Sequence, residues 1–372
     1  MKDTITMLRG PERVRKRPAV IFGSDGVDGA LSALLMLIDT LVQEGIDGHC
    51  TEFSVTQYRD NSLELRDNGR GLYLGAAGQA DDTVWKELFC QLYAAPRYGQ
   101  ATQHSIFEPA GNGIFADSLE LCAVQSASEY MQVCVVRDGY KQTLSFRKGE
   151  PVGGLDTCPC TDPSGTNIRF RLDTEVFSDI VLPGQAVIEK MQTIALQISG
   201  LKATFRQETE TGFVQSEYCY PAGIVDYLQE NATALSSPVY TAELAAEGQE
   251  RYNRPRYAAN VKIGIQFTKD AGFIRCDHNS RRLTCGGSHC DAAIEKIVQY
   301  LEWTLGCTVN QEALKKHLQL VIITNSKINV WSNGARTGID NILIRDMTQD
   351  TVNENFQYFI KQNAVMIRDL FS

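Results

Sequence analysis

Between residues 29 and 47 an apolar residue returns at each helical turn. Leu31, Leu34, Leu35, Ile38 and Val42 stand at i, i+3, i+4, i+7 and i+11. This spacing puts them on one face of an amphipathic helix. The next stretch, TEFSVTQYRDNSLELRDNGRG, has a different rhythm. Phe53, Val55 and Tyr58 lead to a turn at Asp60-Asn61, and Leu63 and Leu65 alternate beyond it, which predicts a β-hairpin. Its second strand ends on Asp67 followed by Asn-Gly-Arg-Gly. That is a tight turn whose backbone is open to approach by a ligand.

Further along, the pattern predicts a helix over 84–98, a polar loop over 99–113 and alternating strands dominating 119–172. A helix over 184–199 precedes a break at Gly200. A second unit is expected to start near 200–220. It would hold strands KATFRQE, KIGIQFTKD and FIRCDHN, a Gly-Gly break at 286–287 and a long helix at about 288–306. A strand LQLVIITNS, a loop NVWSNGARTG and a C-terminal helix from about 347 complete it. Helices set against mostly antiparallel strands predict an α+β class for both domains. The 372 residues are enough for two cores.

The net charge of −9 argues against a strongly basic nucleic-acid footprint, so any contact with DNA is expected to be weak or indirect. No run of about 18 apolar residues stands out, and no membrane span is expected. The basic N-terminus lacks the apolar core of a secretory signal. The eleven cysteines are scattered apart from Cys158 and Cys160, which predicts free thiols in the cytoplasm. The five histidines are dispersed, and His289 reads as structural.

Three clusters taken together point to a family. They are RKRPAVIFGS at 15–24, which by itself reads as a basic arm entering a strand, the helix ending in Gly-His-Cys, and LELRDNGRGL at 63–72. In order and spacing they resemble the ATPase domain of the DNA gyrase B and topoisomerase IV B family. The family's pattern is RKRPGMYIG, a helix E-x-x-x-N-x-x-D-E, then DNGRGIP. SGTNIRF at 164–170, GGSH at 286–289 and the loop at 329–343 extend the resemblance from about residue 8 to 370. It implies a GHKL (Bergerat) sandwich over 1–205 and a ribosomal-protein-S5-like transducer over 206–372, with no TOPRIM or DNA-cleavage domain. It also implies ATP and Mg2+ as ligands, a homodimer through the N-terminal arm and a topoisomerase partner subunit.

The resemblance also assigns positions. The family's general-base glutamate falls on Met36 and its magnesium-holding asparagine on Thr40. Gln43 and Glu44 complete the helix face. A thioether cannot take a proton, whereas a hydroxyl can still ligate magnesium. Glu44 and Asp39 are the carboxylates left to orient a water. Asp67 and Thr166 fall where the family reads the adenine edge, with Gly71 on the adjoining turn; turn capping is the alternative role for Asp67. Gly111 and Gly113 remain of the glycine-rich phosphate lid, and Arg336 stands in the loop where the family has a lysine on the γ-phosphate. Three readings follow: a nucleotide binder with impaired hydrolysis and a regulatory or topoisomerase-associated role, an active ATPase working with a separate DNA-cleaving chain, or a scaffold that has lost the nucleotide.

Overall fold

The computed structural model describes residues 10–76, 83–92, 103–104, 114–115, 118–251, 255–306, 308–333 and 337–371. Two compact units divide the chain: Met1–Ile194 with Leu201–Cys219, and Ala195–Gly200 with Tyr220–Ser372.

The main sheet of the first unit comprises β1 (Glu52–Gln57), β2 (Leu63–Asp67), β3 (Ser128–Arg137), β4 (Tyr140–Arg147), β5 (Glu150–Pro151), β6 (Asp156–Pro159), β7 (Gly165–Leu172), β8 (Lys202–Thr209) and β9 (Gly212–Tyr218). Its order is β9-β8-β1-β2-β7-β3-β4-β5, with β6 also on β4. The pairs are antiparallel except β1 with β8. The β3–β4 hairpin turns on Asp138-Gly139, both at positive φ, a two-residue loop that suits the twist of the strands. The expected β1–β2 hairpin is present, with Asn61 at positive φ.

Four longer helices accompany the sheet: α1 (Val27–Leu41), α2 (Thr83–Cys90), α3 (Ser118–Ser126) and α4 (Gly184–Gln197). The face α1 buries is rotated from the expected one. Ala30, Ala33, Leu34, Leu37, Ile38 and Leu41 are sealed from solvent, while Leu31 and Leu35 are half-buried. The helix is apolar on nearly every side, so spacing alone does not choose the face. The alanines permit close approach to neighbouring elements. By length and composition Val27–Ile46 is apolar enough to cross a membrane although Asp28, Asp39 and Glu44 interrupt it, and 61% of its most apolar window is buried inside the fold.

Other expectations need correction. The basic arm forms two short helices, Glu12–Arg15 and Pro18–Phe22, because Pro18 opens a helix at its first position, where a missing N–H costs nothing. Residues 118–126, expected within a strand-rich region, are helical. The strands Lys202–Thr209 and Gly212–Tyr218 complete the first sheet, so the division lies near 219/220 and not at 205/206.

In the second unit β10 (Tyr240–Gly248), β11 (Tyr257–Phe267), β12 (Phe273–His278) and β13 (Leu318–Ser326) form a sheet of order β10-β11-β13-β12, extended by Arg281–Arg282. α5 (Ser288–Leu305), α6 (Ile342–Thr351), α7 (Glu354–Gln362) and α8 (Ala364–Phe371) supply the helical layer. The single C-terminal helix expected from about 347 is three. Asn353 caps α7 by accepting from the Asn355 N–H, and Asn363 follows its last turn. The core joins Ile263, Ile265 and Ile322 to Ile297, Leu301, Ile344 and Phe356.

One buried ion pair interrupts this unit. Arg275 and Asp277, two residues apart on β12, project from the same face and are each 1% exposed. Arg275 Nε donates to Asp277 Oδ2 at 2.9 Å and Nη1 donates to Tyr227 Oη at 3.2 Å. Removing one partner of such a pair strands the other charge in the interior. Arg275→Ala should therefore cost about 3–5 kcal/mol in urea denaturation of this unit. A change below about 1 kcal/mol would show that the pair is not buried as described.

Candidate functional site

The turn after β2 is fastened from three directions. Asn68 Oδ1 accepts the Thr51 and Glu52 amides, each at 2.9 Å. Glu44, fully buried just beyond α1, accepts the Arg70 amide at 2.8 Å and pairs with its guanidinium at 2.6 Å. From β3, Arg137 Nη1 donates to the Gly71 carbonyl at 2.8 Å, and its guanidinium lies 5.5 Å from the ring centre of Tyr73. Gly71 sits at φ +83°, where an added Cβ would come within 2.8 Å of Val135 and 2.9 Å of the Val136 carbonyl oxygen. Only glycine fits there.

This clamp brings Asp67 and Thr166 together. Asp67 Oδ1 accepts the Gly69 amide at 2.8 Å and the Thr166 amide at 3.3 Å. Thr166, 1% exposed, accepts the Leu72 amide on its Oγ1 at 3.1 Å. Turn capping thus occupies one oxygen of Asp67. The other, Oδ2, is buried with no hydrogen-bond partner among the described residues. Burial pushes the carboxyl pKa up to about 6, and the nearby Glu44 charge adds to the rise. Both residues lie on the inward face of the sheet, with Leu65 and Ile168. The groove of about 660 Å³ beside them is lined largely by the opposite face, including Glu52, Ser54, Arg66 and Lys202.

Along α1 and into the short helix Gln43–Ile46 that follows it, Ser32, Met36, Asp39 and Gln43 recur on a half-buried stripe, with Thr40 at its buried margin. Met36 is therefore not a core residue. Thr40 Oγ1 donates to the Met36 carbonyl at 3.0 Å, a bond within its own helix. Asp39 is ion-paired with the buried Lys190 of α4. Glu44, proposed from sequence as a substitute base, has both oxygens bonded to Arg70, and Asp39 is likewise engaged. Gly111, Gly113 and Arg336 lie outside the described residues, as does the N-terminal arm before residue 10. No cluster of three metal-ligating side chains occurs among the described residues. Arg70 and Arg137 were missed as clamps because only the fold brings a turn, a helix end and a neighbouring strand together.

The Asp67 arrangement obeys a testable linkage. A group whose folded pKa is raised stabilises the fold fully below its ordinary value of 3.8, and that contribution is lost as pH rises through about 6. The difference corresponds to about 3 kcal/mol. Asp67→Asn keeps an oxygen for the two amides and removes the charge. Its stability relative to the unsubstituted protein should grow by about that amount between about pH 4 and about pH 8, read by urea denaturation. Parallel pH curves for the two proteins would refute the burial of this charge.

A mostly antiparallel sheet carrying a strand-end aspartate, joined to a helical layer and followed by a second α+β unit, defines the GHKL ATPase fold with a transducer. The 43K ATPase domain of Thermus thermophilus gyrase B, solved with an aminocoumarin, superposes with a TM-score of 0.72 at 20% identity, covering 98% of this chain and 93% of that one. The B-subunit of DNA gyrase from Myxococcus xanthus gives 0.72 at 16% identity, covering 96% and 99%. By sequence the chain is similar to the B-subunits of DNA gyrase and topoisomerase IV over most of its length. It is 30% identical to the topoisomerase 4 B-subunit of Enterococcus faecalis over 283 residues, 72% of this chain and 40% of that protein. It is 28% identical to the DNA gyrase B-subunit of Thermotoga maritima over 294 residues, 78% and 44%, and 24% identical to that of Synechocystis over 349 residues, 92% and 30%. The chain thus spans between about a third and a half of these relatives' lengths. No family model matches it.

Proposed function

We propose that this chain is a gyrase B-type ATPase-and-transducer module that binds an adenine nucleotide weakly and hydrolyses it poorly. Its role is then regulatory or topoisomerase-associated, in the cytoplasm. The observation that carries this reading is an asymmetry between the two sides of the site. Asp67 keeps a buried carboxylate oxygen with no described partner beside Thr166. On α1, the general-base position holds Met36, and the Thr40 hydroxyl donates to the Met36 carbonyl. The carboxylates that could substitute, Glu44 and Asp39, are bound to Arg70 and Lys190. Adenine has an amino donor suited to the open oxygen of Asp67.

ATP with Mg2+ is the ligand pair this reading inherits from the relatives, with Thr40, at the position of the family's magnesium-holding asparagine, the side chain assigned to the metal. A homodimer through the N-terminal arm and a companion topoisomerase chain are part of the same reading. Loss of a positioned base typically removes about 10²–10⁴ in rate. Loss of phosphate and metal contacts adds to that, because phosphoryl transfer rests on positioning and charge neutralisation. Steady-state assays with Mg-ATP should therefore give no turnover above background. Turnover at about 1 s⁻¹ or faster would overturn the reading and favour an active ATPase acting with a separate DNA-cleaving chain.

A further inference from the structure

We propose that Cys276 and Cys290 are a redox-sensitive pair that a hydroperoxide converts reversibly into a disulfide within the second unit. The proposal is independent of the nucleotide reading above. Cys276 lies on β12 and Cys290 in the first turn of α5, and both belong to the core of this unit. The chain between them reverses at Asn279 and Ser280, both at positive φ, and enters α5 through Gly286-Gly287. That path brings the start of α5 back against the strand. The two sulfurs meet beside Gly286, where an added Cβ would lie 3.5 Å from Cys290 Sγ and 4.0 Å from Cys276 Sγ. The Cys276 thiol donates a hydrogen bond to the Cys290 sulfur.

The contact gives the two thiols different roles. Cys290 is the third residue of an 18-residue helix, where unpaired amides and the helix dipole favour a thiolate. The bond from Cys276 holds the Cys290 thiol below its ordinary range, against burial and the charge of Asp291. Cys276 keeps its proton through the same bond, through burial and through the nearby charges of Asp277 and Asp291. Cys290 is thus the nucleophile and Cys276 the resolving thiol. In the first step the Cys290 thiolate attacks the terminal oxygen of the hydroperoxide. The O–O bond breaks, the other oxygen leaves with the electron pair and takes a proton, and Cys290 becomes a sulfenic acid. In the second step the Cys276 sulfur attacks the sulfenic sulfur, and hydroxide leaves with the Cys276 proton as water. Two thiols and one hydroperoxide give one disulfide, one alcohol and one water. A dithiol reverses the change by exchange. The bond ties the start of α5 to β12, and such a crosslink removes freedom from the unfolded chain.

The test is peptide mapping of the full chain after treatment with hydrogen peroxide, alkylation of the remaining thiols and digestion with trypsin without reductant. Cleavage after Arg275, Arg281, Arg282 and Lys296 puts Cys276 on one peptide and Cys285 with Cys290 on another. The two peptides should be recovered joined through Cys276 and Cys290, two hydrogens short of their summed mass, and should separate on addition of dithiothreitol. The urea midpoint should rise by about 1 M on oxidation and return on reduction. Cys276→Ala should abolish that shift and leave Cys290 as a sulfenic acid that a cyclic 1,3-dione traps. The mapping itself uses the unsubstituted chain, so its result stands whether or not the variant folds. Recovery of Cys276 and Cys290 on separate alkylated peptides, while the exposed Cys158 is oxidised, would overturn the proposal. So would a bridge running from Cys276 to Cys285.

Discussion

The buried carboxylate of Glu44 is the contact on which the candidate site depends. It sits just past the end of α1 and holds both the amide and the guanidinium of Arg70, tying the main helix of the first unit to the turn that leaves β2. Such a pair is favourable only when its remaining hydrogen-bonding capacity is met, and here a backbone N–H meets part of it. With that end fixed, Asn68 ties the turn to the start of β1 and Arg137 ties it to β3. The turn has little freedom left, and Asp67 is delivered next to Thr166 at the end of two adjacent strands.

The rigidity has a chemical consequence. A residue spent on holding the backbone is withdrawn from reaction chemistry, and Glu44 is spent in this way. Asp39 is tied to Lys190, and the Thr40 hydroxyl is turned back on its own helix. Asp67 differs because its two oxygens have separate fates. One caps the turn, and the other stays buried without a described partner. A buried carboxylate oxygen left in that condition raises the energy of the empty site, and an amino group placed against it would relieve that energy.

Much of the fold was legible along the chain because it rests on local rules. The helical period of α1, the alternation and turn residues of the β1–β2 hairpin and the run from Ser288 to Leu305 all announce themselves over a few residues. The short helices at Glu12–Arg15 and Pro18–Phe22 were not legible, since a proline after basic residues opens an extended arm or a helix equally well. Nor was the placement of Lys202–Tyr218. These strands alternate like any others, and only the parallel pairing of β8 with β1 assigns them to the first sheet.

The sequence by itself determined which residues stand at the motif positions, a methionine at 36 and an aspartate at the end of β2. Those are matters of identity and spacing, and folding does not change them. Tertiary structure alone decided which side chains are committed and which stay open. It turned α1 so that Ala30, Ala33 and Leu37 face inward and Met36 does not. It joined Glu44 to Arg70 across 26 positions of chain, and it left one oxygen of Asp67 unmatched. Burial and hydrogen-bond pairing are properties of distant segments brought together, and no local pattern encodes them.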